Sequence, residues 1–159
     1  DRRPATPGRA RRPVSLYAES SAVLAWLLDE EAGAFVRQTL SETAIVVASD
    51  LTLMECDRVL LRAAALGDLT EAEVADRRAH LATAAAHWHV LGIGREVVDR
   101  ARQPFPGDPI RTLDAIHLAS VLVARSAVAG LKLLSLDDRI RSAGKKLGLT
   151  LLPEDARTS

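Results

Sequence analysis

Apolar positions along the chain follow two periods in turn. Residues 14–18 read as a short strand, and residues 21–28 and 32–40 repeat their apolar positions at helical spacing. "AIVVAS" (residues 44–49) is continuous and β-branched, the mark of a strand buried on both faces. A helix is expected from about Asp50 to Ala65, stopped by Gly67. Another starts at Thr70, with Glu73 in place for a capping box, and ends near Ala86. "WHVLGI" (88–93) reads as a third strand, with a short helix through Val97 and Val98 after it. "QPFPGDPI" (103–110) is a loop, because its prolines and glycine break both periods. Residues 112–125 read as a helix, "LKLLSL" (131–136) as a strand and 138–147 as a helix ended by Gly148. A last short strand, "LTLL", surrounds Thr150.

Strand and helix alternate throughout, which predicts parallel strands joined by right-handed helical crossovers. The expected fold class is α/β: a single-domain three-layer sandwich, a parallel β-sheet with helices on both faces. The folded domain should span residues 14–153. Residues 1–13 carry five arginines and three prolines without a large apolar side chain, which reads as a flexible arm. Residues 154–159 read as a tail.

Composition narrows the function classes. At 159 residues the chain is long enough for one real core, and 48% hydrophobic residues exclude a disordered chain. No apolar run approaches a membrane span, and no signal peptide is visible. The single cysteine, Cys56, excludes an internal disulfide framework and points to a reducing cytoplasm. Basic and acidic residues cancel at 21 each, so any nucleic-acid contact must come from a local patch. Aromatics, at 3%, are too few for a base-stacking platform.

In open parallel sheets ligands bind beyond the carboxyl ends of the strands. Glu19 follows the first strand, Glu55 lies early in the helix after "AIVVAS", Asp114 opens "TLDAIHLAS", and Asp137 and Asp138 follow "LKLLSL". Helix capping accounts for most of them singly: Glu55 could pair with Thr52, Asp114 suits a helix start and Asp137 suits an N-cap. Glu19 alone could be a solvated strand end. Capping does not account for all four standing on one side of one sheet. Two charges about 5 Å apart repel by roughly 3 kcal/mol at an effective dielectric near 20. Such a set calls for protonation or a divalent cation, and oxygen donors without a Cys/His set suit Mg²⁺ or Mn²⁺.

Four segments, "YAESSAV", "SDLTLMECDRVLLR", "RTLDAIHLASVL" and "LLSLDDRIRSAGKKLGL", carry a resemblance in order and spacing. The chain resembles the PIN-domain ribonucleases, most closely the VapC-like toxins of bacterial toxin–antitoxin pairs, over about residues 16–152. The resemblance implies a Mg²⁺- or Mn²⁺-dependent endoribonuclease whose acidic quartet is Glu19, Glu55, Asp114 and Asp137, as both catalytic and metal-binding residues. It implies that Ser20 and Ser135 orient carboxylates or water. It also implies a structured or single-stranded RNA substrate, a cognate antitoxin whose tail covers the acidic pocket, and a homodimer. Glu19 departs from the family, which has Asp at that position. The added methylene moves the carboxylate by more than about 1 Å, a large shift for an ion with strict geometry.

Other features weigh less. The apolar neighbours of His117 favour a packed, hydrogen-bonded ring over a metal ligand. "HWH" (87–89) fits an exposed strand edge, "GIG" (92–94) lacks the rest of a nucleotide loop, and Cys56 fits a small core residue. Among the flanking cations, Arg111 and Arg139 are the candidates for gripping RNA phosphates. The alternative reading is a catalytically impaired PIN-like domain acting as an RNA- or protein-binding module, kept open by Glu19. A Mg²⁺-dependent phosphatase is weaker, since no D-x-D motif follows the first strand.

Overall fold

The computed structural model describes residues 14–154. The expected arm and all but the first residue of the expected tail lie outside them. The elements in order are β1 (Ser15–Ala18), α1 (Ser20–Leu27), α2 (Gly33–Glu42), β2 (Ile45–Ser49), α3 (Asp50–Ala65), α4 (Glu71–Ala85), β3 (His89–Leu91), α5 (Arg95–Ala101), α6 (Thr112–Ala127), β4 (Lys132–Leu134), α7 (Asp138–Lys146) and β5 (Leu151–Leu152). The five strands pair in parallel in the order β3-β2-β1-β4-β5. No helix among the described residues is long and apolar enough to cross a membrane.

Because successive strand residues face opposite sides of a sheet, each central strand feeds two cores. Leu16, Ala18, Val46 and Leu134 join residues of α1–α4, whereas Tyr17, Val47 and Leu133 join residues of α5–α7. The three-layer expectation therefore holds, with β1 buried along its whole length at the centre. The capping box expected at Thr70 and Glu73 is formed. The strands are shorter than the apolar runs suggested. β3, an exposed edge strand, stops at Leu91, which pairs with Ser49, the last residue of β2. β4 ends at Leu134; Ser135 keeps one backbone bond, its N–H to the Leu152 carbonyl, while its side chain turns to Glu19.

Chain order reverses at β1. From there β2 and β3 extend one way and β4 and β5 the other, so the crevice between the ends of β1 and β4 is the switch point of the sheet. Glu19 sits at the end of β1, where its N–H bonds the Leu134 carbonyl at 3.0 Å and extends the ladder by one residue. The two helices of the α1–α2 hairpin, which follows that end, pack closely on each other. A Cβ built on Gly33 lies 2.4 Å from the Ala25 carbonyl oxygen, a backbone atom that no rotamer change can move. Gly33→Ala should therefore lower stability by about 1–3 kcal/mol in urea unfolding, despite the roughly 1 kcal/mol that alanine gains in a helix. Unchanged or raised stability would show that the hairpin gives way.

Candidate active site

Glu19 is the N-cap residue of α1, but its carboxylate does not cap that helix. It turns inward and is 3% exposed. Ser20 Oγ donates to Oε1 at 2.8 Å, Ser135 Oγ donates to Oε2 at 2.7 Å, and Ser21 Oγ also donates to Oε2. Burying a carboxylate costs several kcal/mol. Each hydrogen bond to a charged acceptor returns about 1.5–3 kcal/mol, so three hydroxyls are of the order needed. The solvated strand end that capping logic allowed is not what forms.

Ser21 is the hub of this network, and the sequence patterns did not single it out as a site residue. Besides Glu19, its Oγ accepts from the Leu136 N–H at 2.9 Å and the Asp137 N–H at 3.1 Å. The only signal was adjacency in "ESS"; the amides that it binds lie 115 and 116 positions away.

Glu55 is brought to Glu19 by the start of α3. Ser49 caps that helix, accepting from Thr52 N at 3.3 Å, and Thr52 Oγ1 donates to the Ala18 carbonyl at 3.1 Å. In place of the Thr52–Glu55 pairing that capping allowed, Thr52 is tied to β1, and Glu55 follows one turn later on the same face. Ser20 Oγ also lies 3.0 Å from Glu55 Oε1, so one hydroxyl stands between the two acids and shares its single proton with them. His117, one turn after Asp114 on α6, bonds the same Glu55 oxygen through Nε2. Partial burial pushes the Glu55 carboxyl up, but the hydrogen bond and charge of His117, helped by Ser20, outweigh it and leave the group below the usual carboxylate range.

Glu19, Glu55 and His117 each offer a ligand atom, and these atoms all lie within 4.8 Å of one another. Asp114 and Asp137 are not in that cluster. Asp114 is buried at the start of α6 and pairs with Arg111 Nε through Oδ2 at 3.0 Å. Asp137 caps α7, its Oδ1 accepting from the amides of Arg139 and Ile140. Its charge still acts on Glu55, opposing ionisation there. Glu55, Asp114 and Asp137 each bond through one oxygen among the described residues and keep the other free. Glu19 Oε1 accepts one hydroxyl and keeps a lone pair. Hard oxygen donors with spare lone pairs fit a divalent cation such as Mg²⁺ or Mn²⁺. Beside Asp114, a cavity of about 550 Å³ opens between the 106–110 loop and α7, lined by Arg111, Arg139 and Lys146 among others.

A sequence model of the PIN domain matches residues 16–146, and the chain belongs to that family. It is 34% identical over 139 residues to Ribonuclease VapC46 of Mycobacterium tuberculosis (strain ATCC 25618 / H37Rv), covering 87% of this chain and 96% of the relative. Solved structures share the fold. One is described as a toxin-antitoxin complex from Klebsiella pneumoniae, with TM-score 0.59, 16% identity, and coverage of 89% of this chain and 98% of that one. Another is VapC20 of Mycobacterium tuberculosis, described as a Sarcin-Ricin loop cleaving toxin, with TM-score 0.58, 13% identity, and coverage of 82% and 95%.

Ser21→Ala strips an acceptor from two backbone amides and should cost about 1–3 kcal/mol in urea unfolding; a loss within 0.5 kcal/mol, about the scatter of surface changes, would remove Ser21 from its hub. Tyr17, the sole tyrosine, has its hydroxyl pushed up to about 12, chiefly by burial. The unfolded chain releases this proton near pH 10 and the folded chain does not, so stability falls as pH rises from about 10 toward 12. Tyrosinate absorbance should then be absent from the folded protein near pH 10 and appear only toward pH 12 or with loss of structure. A reversible titration near pH 10 in folded protein would contradict the burial.

Proposed function

We propose that this chain is a metal-dependent endoribonuclease of the VapC-like toxin kind, hydrolysing RNA phosphodiester bonds at the crevice between β1 and β4. The observation that carries the reading is the Glu19–Ser20–Glu55 bridge: two carboxylates held against each other, one of them buried, at the switch point of a PIN-domain sheet. Glu19, Glu55, Asp114 and Asp137 would hold the cation, which is Mg²⁺ or Mn²⁺. When bound, it supplies an activated water and counter-charge for the phosphodiester. Ser20, Ser21 and Ser135 fix the Glu19 carboxylate, and Ser20 also sets its distance from Glu55. The three hydroxyls hold the Glu19 carboxylate at the end of β1.

The RNA path runs over the cavity beside Asp114. Arg111 is largely exposed and offers its remaining guanidinium nitrogens past Asp114. Arg139 follows the Asp137 cap on α7 and is also exposed. Their charges suit successive backbone phosphates. An antitoxin tail covering the acidic crevice, pairing into a homodimer and action in the cytoplasm belong to the same reading.

The test uses full-length protein purified free of any antitoxin, a panel of RNAs, and Mn²⁺ or EDTA. Cleavage should need the metal, and Asp114→Asn should lower the rate by about 100-fold or more. Binding without cleavage would establish the impaired module instead. In a salt titration of RNA binding, Arg139→Ala should flatten the log–log slope by about 0.7, one phosphate on a single strand. An unchanged slope would remove Arg139 from the RNA path.

A further inference from the structure

Behind the acids lies a polar chain that the ribonuclease reading leaves unused. Tyr17 and Ser49 are fully buried and His117 is 2% exposed. Tyr17 Oη donates to Ser49 Oγ at 2.9 Å and lies 3.1 Å from His117 Nδ1. The Tyr17 and His117 rings meet edge to face, with centroids 6.2 Å apart and planes at 79°. The other ring nitrogen of His117 bonds Glu55 Oε1. Ser49 is the N-cap of α3, and Glu55 stands on α3. The chain therefore leaves α3 at its cap, passes through β1 and α6, and returns to α3 one turn after Thr52.

We propose that His117, braced by Tyr17, is the positioning residue that sets the Glu55 carboxylate. The inference rests on the reading of Glu55 as a cation ligand. Glu55 is a flexible side chain, 30% exposed, and holding one such side chain in a single rotamer opposes up to about 2 kcal/mol of entropy. Ser20 and His117 both bond Oε1, and a carboxylate is planar, so fixing Oε1 from two sides also aims Oε2. Ser20 alone leaves the group free to pivot. His117 can serve as the second anchor only if its ring cannot turn, and Tyr17 on the opposite nitrogen prevents that turn. With both nitrogens engaged and almost no exposure, His117 acts through Glu55 and does not touch substrate.

The two ring nitrogens can be tested apart. The amide of His117→Gln reaches the Nε2 position and keeps the bond to Glu55, whereas His117→Asn reaches only the Nδ1 position and keeps the bond to Tyr17. Full-length, EDTA-stripped protein is titrated with Mn²⁺ in a calorimeter, RNA cleavage gives kcat and KM, and melting is followed in EDTA. His117→Gln should hold Mn²⁺ affinity within about threefold of wild type, and His117→Asn should lose about 10- to 100-fold. Tyr17→Phe, which removes one oxygen, should fall between them and lower kcat with KM for RNA unchanged. Equal affinities for Asn and Gln, or the reverse order, overturn the proposal. Should His117→Asn fail to fold, wild-type affinity and kcat in Tyr17→Phe overturn it equally. Glu55→Gln separates the levels: if it leaves Mn²⁺ binding intact, the ligand reading of Glu55 has failed, whatever His117 does.

Discussion

One buried carboxylate organises the functional end of this protein. Glu19 stands where the central strand ends, almost wholly out of water, and the chain must surround it with donors or forfeit several kcal/mol. Those donors come from two distant places: Ser20 and Ser21 open the helix that follows, and Ser135 leaves β4 more than a hundred residues later. Meeting that single requirement therefore closes the β1–β4 crevice. It also brings the loop that carries Asp137 to the site, since Ser21 holds the amides of Leu136 and Asp137.

Glu55 joins by a second route. α3 is tied by Ser49 at its cap and by Thr52 to the last carbonyl of β1, so the next turn presents an acid to Glu19. Ser20 spans the two carboxylates, and His117 supplies compensation from α6. Three elements thus contribute to one cluster, and each is anchored to β1 or its immediate neighbours. This is why a small sheet can hold like charges together without help from long loops.

Much of this was legible in the sequence, because the relevant signals are local. Alternating periods fixed the element order, and the β-branched run at residues 44–49 marked a strand covered on both sides. All four acids fall at strand ends or helix starts, as sequence reasoning placed them. What escaped it was long-range. Ser21 looked like a helix-start serine, since nothing near it in sequence shows the amides that it binds. The apolar neighbours of His117 indicated a packed, hydrogen-bonded ring, which it is; that its polar partner would be Glu55 depended on how α6 crosses the sheet. The quartet was expected as one cluster, yet only Glu19 and Glu55 meet, together with His117, while Asp114 pairs with Arg111 and Asp137 caps α7. Each of these duties uses one carboxylate oxygen and leaves the other.

The central claim is that the crevice around Glu19 and Glu55 is built to hold a divalent cation. Anomalous diffraction from crystals of the full chain grown with Mn²⁺ tests it most directly. A manganese peak touching both Glu19 and Glu55 is expected. An ordered crevice without that peak, or manganese bound only elsewhere on the molecule, would contradict it.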